Sequence, residues 1–371
     1  MLPRPDVDQL CCLNSECTLY SQRQANNLVV RKTYGTDQIR YLRCRRCGEE
    51  FSERKETALF NLKISEAKAV SVLDHLDVGC GVVTTAQLVH VAKDTVSRLI
   101  RVTGRVSRKI HDCKIRGLRP LAIQCDEKWS YAVKKQRHLT QKDDITQAGD
   151  RWDINSLDPQ TKLLISLVPG SRTVENVQQL MTDTASRLAS DATKPAFFTD
   201  GAPFYPDLIL QTFGHYYWPP RTYTRGRPKA PILRVPHDLV YAQVVKTRQN
   251  GRIVNVEVRP IFGKNKLPTV IKALGWNKAN TSAIERFNLT DRCRNRRKAR
   301  KTLAFSKRAR FHDWMSWISA VRYNFYHPHR SLRQKNNQGR WMKRTPAMAA
   351  GLADHLFSTL ELLRLCPLGL G

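Results

Sequence analysis

NTSAIERFNLTDRCRNRRKARKTLAFSK, residues 280–307, sets a carboxylate, Glu285, ahead of a dense run of cations. The pattern predicts one long polar helix, with Thr281 or Ser282 as its N-cap. Glu285 and Arg292 are seven residues apart, two helical turns, so they share nearly the same face. Beyond Arg286 come Arg292, Arg294, Arg296, Arg297, Lys298, Arg300 and Lys301. An acid beside such a run is ordinarily a solvated ion-pair partner. The alternative is a metal-binding carboxylate held beside a polyanion, and that reading requires further carboxylates elsewhere.

Two candidates lie upstream. LAIQCDEKWSYAV, 121–133, reads as a strand with Asp126 inside it. PAFFTDGAPFY, 195–205, gives a short buried strand, Ala196–Thr199, that ends at Asp200, with Pro203 able to start a helix. Between them, Arg151–Ser156 and Lys162–Val168 suit two more strands. Residues 172–190 suit an amphipathic helix with Val174, Val177, Leu180, Met181, Ala185 and Leu188 on one side. The order strand, strand, strand, helix, strand, helix predicts an α/β fold with a ribonuclease H-like core. Asp126, Asp200 and Glu285 are then a candidate triad. Carboxylates are hard oxygen ligands suited to Mg²⁺ or Mn²⁺. Two such ions ~4 Å apart activate an attacking oxygen and stabilise a leaving one on a phosphodiester. The chain has 32 acidic residues, so three acids alone are weak evidence. Their context carries more: an acid in a buried strand needs a partner or a metal to offset desolvation. Glu127 competes for the first position, but strand alternation predicts that it faces away from Asp126.

The stretch between Asp200 and Glu285 is too long for a simple connection. RTYTRGRPKAPILRVP, 221–236, predicts an extended basic arm carrying Arg221, Arg225, Arg227 and Lys229. Tyr241–Thr247 and Arg252–Ile261 predict strands around Asn250-Gly251, a strong hairpin signal. This basic hairpin is read as an insertion at about 219–275, gripping nucleic acid or bracing the fold. After the cationic stretch, Trp314, Trp317, Ile318 and Val321 form a helical core face, ending at His327-Pro328. Thr345-Pro346 opens a short C-terminal helix.

The front of the chain holds Cys12, Cys17, Cys44 and Cys47 in two tight pairs, with Gly48 as a turn residue. Two knuckles supply the four soft ligands of a tetrahedral structural zinc, and two short strands around Gly35 fit a zinc ribbon. The alternative is reduced structural cysteines, and Cys11 is an alternative ligand to Cys12. Residues 62–112 predict three helices. The first carries Ala69, Val72, Leu73 and Leu76. The second opens on a Thr84/Gln87 capping box. The third has Val96, Leu99, Ile100 and Thr103 inward, and Thr95, Ser97, Arg98 and Arg101 outward. That is a helix-turn-helix with a cationic recognition helix, although non-binding three-helix bundles share the pattern.

The formal charge is +31 over 371 residues, an excess that calls for a polyanion, and nucleic acid fits better than a membrane surface. No apolar run reaches the ~18 residues of a bilayer span, and the N-terminus has no secretory h-region. A cytoplasmic chain with reduced or metal-bound cysteines is expected. The expected division is a zinc ribbon at 1–58, a helix-turn-helix domain at 59–116, a catalytic domain at 117–335 and a helical tail at 336–371.

DEKW (126–129), TDGAPFY (199–205) and NTSAIERFNLTDR (280–292) resemble the motifs of insertion-sequence DDE transposases, most closely the insertion-sequence-one type. RKTLAFSK (300–307), YNFYHPHRSL (323–332) and RTPAMAAGL (344–352) are similar to that family too. The resemblance implies that Asp126, Asp200 and Glu285 bind two Mg²⁺ or Mn²⁺ ions, and that Arg292 contacts DNA near the cleavage site. It implies that Cys12, Cys17, Cys44 and Cys47 hold zinc, although the first knuckle lacks the usual proline. Arg98, Arg101, Arg296, Arg297, Arg300 and Lys301 are the further candidate DNA contacts. The implied reaction hydrolyses a phosphodiester at each element end and joins the freed 3′-hydroxyl to target DNA. Its partners would be element ends and target duplex, handled by a homodimer or larger synapse in a prokaryotic nucleoid. A DNA-binding regulator or domesticated protein that no longer cuts is the alternative.

Overall fold

The computed structural model describes residues 4–220 and 229–370. Arg221, Arg225 and Arg227 of the expected basic arm lie outside the described residues; Lys229 is exposed. The chain forms two compact units, one of Met1–Ile115, Tyr131–Gly149 and Asp291–Gly371, the other of Arg116–Ser130 and Asp150–Thr290.

The first unit opens with an antiparallel sheet of β1 (Leu28–Tyr34), β2 (Ile39–Cys44) and β3 (Glu50–Ser52). The third strand is absent from the two-strand expectation. Its three residues are too few to show a period, and Phe51 joins Leu28 and Leu42 in a small core. Helix α1 (Glu66–Asp77) is capped by Ser65, whose hydroxyl accepts from Lys68 N, and buries Ala69, Val72, Leu73 and Leu76. Helix α2 (Val82–Val89) starts earlier than the Thr84/Gln87 pair predicts. Gly81 takes the extended N-cap conformation, so Thr84 and Gln87 lie inside the helix and form no box. Helix α3 (Lys93–Lys114) buries Val96, Leu99, Ile100 and Thr103 and leaves Arg98 and Arg101 exposed.

The second unit is built on a six-stranded mixed sheet. Its strands are β4 (Ala122–Ala132), β5 (Gly149–Leu157), β6 (Leu164–Gly170), β7 (Ala196–Thr199), and two from the hairpin. Helix α4 (Val174–Ser186) follows β6 and buries Val177, Leu180 and Met181; Val174 is exposed at its first position. Helix α5 (Tyr205–Phe213) follows β7, and the proline in its first turn is Pro206, not Pro203. A small two-stranded sheet of β8 (His215–Tyr217) and β9 (Ile232–Arg234) precedes the hairpin.

The hairpin expected within the insertion is continuous with the main sheet, as the alternative of bracing the fold requires. Strand β10 (Tyr241–Gln249) pairs in parallel with β7, and β11 (Arg252–Phe262) pairs antiparallel with β10, giving the order β11-β10-β7-β4-β5-β6. Tyr241, Ala242 and Val244 are buried, and this apolar start draws β10 into the main sheet. Asn250 (φ 49°) and Gly251 (φ 78°) make the turn with positive φ at both positions, as a two-residue hairpin of this kind requires. Helix α6 (Leu267–Ala273) then leads to α7 (Ser282–Arg294).

The single long helix expected over 280–307 is not formed. Helix α7 stops at Arg294, Arg296–Lys298 make one 3-10 turn, and irregular chain follows. Like charges three and four apart oppose helix continuation. Lys298 instead folds back onto the buried Asp291 carboxylate at 2.9 Å.

In the first unit, helix α8 (Ala309–Val321) buries Trp317, Ile318 and Val321 and runs into a π-turn, Arg322–Tyr326. A Cβ on Gly104 of α3 would fall 2.5 Å from Trp314 Cβ, so only glycine permits this approach of α8. The region after 335 is not purely helical: β12 (Gln334–Lys335) and β13 (Trp341–Met342) form a hairpin before α9 (Pro346–Ala349) and α10 (Thr359–Arg364). Thr345 caps α9 through Met348 N at 3.2 Å. Among the described residues no helix is long and apolar enough to cross a membrane.

Candidate metal centres

The carboxylate site follows from strand register. β4 and β7 run in parallel with Ala122↔Ala196 and Gln124↔Phe198. Continuing that pairing by two residues sets Asp126 beside Asp200 on one face of the sheet. The same face carries Ala122, Ala196 and Phe198 into the core, so the register is fixed by apolar burial.

Asp126, Glu127 and Asp200 offer carboxylate oxygens that all lie within 4.8 Å of one another. This overturns the expectation that Glu127 faces away. Its backbone does alternate, and its carboxylate accepts from Tyr205 and from Arg172, at 3.0 Å for the guanidinium. But β7 ends at Thr199, so no neighbouring strand separates the two faces beyond it, and the longer glutamate side chain reaches round. Arg172 is itself seated over the rings of Trp152 (5.2 Å) and Phe204 (5.6 Å). Asp126 accepts from Glu127 N at 2.8 Å and from Asn288 Nδ2 at 2.7 Å. Asp200 accepts from Ala202 N at 3.0 Å.

Glu285 stands outside this group of three. Its carboxylate, 45% exposed, is ion-paired with Lys246 of β10 and accepts from Thr281 Oγ1 at 2.6 Å. Thr281 therefore serves Glu285. Three residues along α7 from Glu285, Asn288 touches Asp126, so one face of the helix presents both to the same region. Gln124 ties the start of α7 to β4 by accepting from Ile284 N and donating to Asn280 O.

Burial, reinforced by the Glu127 and Asp200 charges, pushes the Asp126 carboxyl up to about 7. Glu127 is raised as well, burial again outweighing its Tyr205 and Arg172 bonds. Two carboxylates ~4 Å apart repel by ~4 kcal/mol at an effective dielectric of ~20. Neither Asp126 nor Asp200 has an ion-pair partner among the described residues. Arg172 offsets the charge of Glu127 alone, and the Asp126 and Asp200 carboxylates beside it fit a divalent cation such as Mg²⁺ or Mn²⁺.

The cysteine site passes a sharper test. Cys12 and Cys47 Sγ are 3.6 Å apart, Cys17 and Cys44 Sγ 4.0 Å, and all four sulfurs lie within 4.8 Å of one another. Tetrahedral zinc with ~2.3 Å bonds requires S···S edges of ~3.8 Å. Asn27 Nδ2 donates to Cys44 Sγ at 3.1 Å, an outer hydrogen bond of the kind that orients a metal ligand. Cys11 points elsewhere, donating to Leu368 O at 3.7 Å and facing Cys366.

The candidate DNA contacts divide. Arg98, Arg101, Arg296, Arg300 and Lys301 are exposed, and Arg292 is half-buried. Arg297 is buried, and loss of solvation lowers its guanidinium to about 10. That burial removes it from the surface candidates. Sequence reasoning missed Asn288, Lys246, Tyr205 and Arg172. Only Asn288 carried a signal, its i+3 spacing from Glu285.

No family model matches the chain, and no curated protein matches it. Among solved structures, one similar chain is from the "Crystal structure of a pre-cleavage Mos1 transpososome". It is 12% identical, covers 70% of this chain and 79% of its own, and superposes with a TM-score of 0.18. Another, from the "Crystal structure of the Mos1 Strand Transfer Complex", is 13% identical over 70% and 77%, with a TM-score of 0.19. Superpositions this loose fix neither fold nor function.

Proposed function

We propose that this chain is a DDE-type DNA transposase of the insertion-sequence kind, cutting and joining DNA ends with two divalent cations. The observation that carries this reading is that Asp126 in β4 and Asp200 just past the end of the parallel strand β7 lie side by side, with α7 bringing Glu285 and Asn288 to the same region. The strand order β6-β5-β4-β7-β10 supports a ribonuclease H-like core, because it puts the first strand at the centre with the fourth alongside it.

In this reading Asp126 and Asp200 would hold the ions, with Glu285, here paired with Lys246, as the third carboxylate ligand. The bound ions would neutralise the phosphate and lower the pKa of an attacking water. Asn288 fixes the orientation of Asp126. Tyr205 and Arg172 hold the buried Glu127 carboxylate beside Asp126 and Asp200, and the Arg172 guanidinium offsets its charge. The zinc ribbon and α1–α3 would bind the element ends, Arg98 and Arg101 facing the duplex. The charge of +31 supports a salt-sensitive grip on phosphates. Arg292, Arg296, Arg300 and Lys301 would extend that grip along the DNA backbone. Handling two ends calls for a dimer or larger synapse.

One observation favours a second reading, a DNA-binding protein that does not cut: Glu285 is paired with Lys246 outside the carboxylate group. Cleavage decides between them. Duplex DNA containing the inverted repeats that flank the gene should be nicked by the purified protein with Mg²⁺. Asp200→Ala should abolish nicking while binding stays within about twofold. Nicking that survives in the variant, or its absence from the parent protein, defeats the enzymatic reading. An RNA–DNA hybrid cut in preference to duplex would point to a ribonuclease instead.

A further inference from the structure

A cleft of about 220 Å³ lies in the first unit between α3 and the start of α8, lined by Asp94, Ser97, Arg98, Arg101, Arg308, Arg310, Phe311 and Trp314. Four guanidiniums face one carboxylate there. All four arginines are exposed, and none forms an ion pair with a described carboxylate. Arg98 donates only to the Asn61 carbonyl, at 3.0 Å.

The local helix chemistry is also broken. Arg308 occupies the N-cap of α8 in extended conformation (φ −147°, ψ 138°) and makes no side-chain cap hydrogen bond. Serine, threonine, aspartate or asparagine would accept from the first-turn amides; arginine cannot. It also sets a cation at the positive end of the helix dipole. Arginine here is unfavourable for the helix and favourable for an anion. Rules broken in this way cluster at functional positions.

We propose that this cleft seats a backbone phosphate of duplex DNA, gripped by Arg98 and Arg101 from α3 and by Arg308 and Arg310 from α8. The proposal rests on the DNA-binding reading above and adds α8 to it. The guanidinium forks pair with phosphate oxygens, and the Ala309 and Arg310 amides at the start of α8 add donors, Phe311 N being taken by Arg308 O. The Phe311 and Trp314 rings, 4.8 Å apart, form its apolar wall. Such a contact carries no sequence information; it fixes how α3 lies on the duplex.

The test is Arg308→Ser in the full-length protein, with Arg310→Gln as a second variant. Serine supplies the missing cap, so Arg308→Ser should melt at a higher temperature than the parent. Its DNA affinity should nonetheless fall about tenfold, and the log–log salt slope should drop by about 0.9, one phosphate. Arg310→Gln should lower affinity and slope without raising the melting temperature. Unchanged affinity and slope in both variants overturn the phosphate seat, while the parent's own binding still upholds the wider DNA reading. A parent protein that binds no duplex at all removes both.

Discussion

Replacing Asp126 by asparagine should stabilise the protein in magnesium-free buffer, and by more at higher pH. The folded state holds the Asp126 proton up to about 7, against the ordinary 3.8 of an aspartate in the unfolded chain. An acid with a raised folded pKa binds more protons folded than unfolded, so stability falls as pH rises through that window and the deficit is complete above it. That difference corresponds to ~4 kcal/mol. Asparagine removes this deficit but sets one amide against the Asn288 donor, at a cost of ~1 kcal/mol. The net gain is ~3 kcal/mol at about pH 8 and ~1 kcal/mol at about pH 5.5, a range chosen to spare the zinc site. Urea unfolding with zinc retained measures both values. Mg²⁺ should then stabilise the parent and leave the variant nearly unmoved. A variant less stable than the parent at both pH values, or a gap independent of pH, would refute the idea that crowded carboxylates oppose folding until a cation arrives.

Removing a thiol from the ribbon should separate the two cysteine sets. Cys44→Ser should lose the bound zinc and the β1–β3 fold, whereas Cys11→Ser should keep one zinc per chain by metal analysis. Arg297→Ala should destabilise the protein by ~2 kcal/mol through lost buried packing and leave the salt slope of DNA binding unchanged. Arg300→Ala should do the reverse, lowering the slope by about 0.9 with little change in melting. Lys246→Met should release Glu285, and Mn²⁺ binding followed by calorimetry should tighten about two- to fivefold, the worth of a partly exposed ion pair. A weaker or unchanged affinity would show that Lys246 does not compete for that carboxylate.

Much of the chemistry was legible in the linear chain because it depends on short-range rules. Alternating and helical periods locate β4, β7, α1, α3 and α4, and tight cysteine pairs locate the ribbon. Asp126 stands out because it lies inside an apolar strand, and Asp200 because it directly follows one. What the sequence left open depended on register and reach. Alternation assigned Glu127 to the far face, but only the ending of β7 at Thr199 shows that its carboxylate comes round to the other two. The hairpin at Asn250-Gly251 was visible, yet its parallel pairing with β7 is a contact across more than forty residues that no local pattern encodes. The choice between Cys11 and Cys12 and the burial of Arg297 were likewise decided by packing, since neighbours of the same chemistry differ only in what surrounds them once folded. Local periodicity set the elements and their acids; the tertiary fold alone chose which side chains meet, because side-chain reach is spent across strands and not along them.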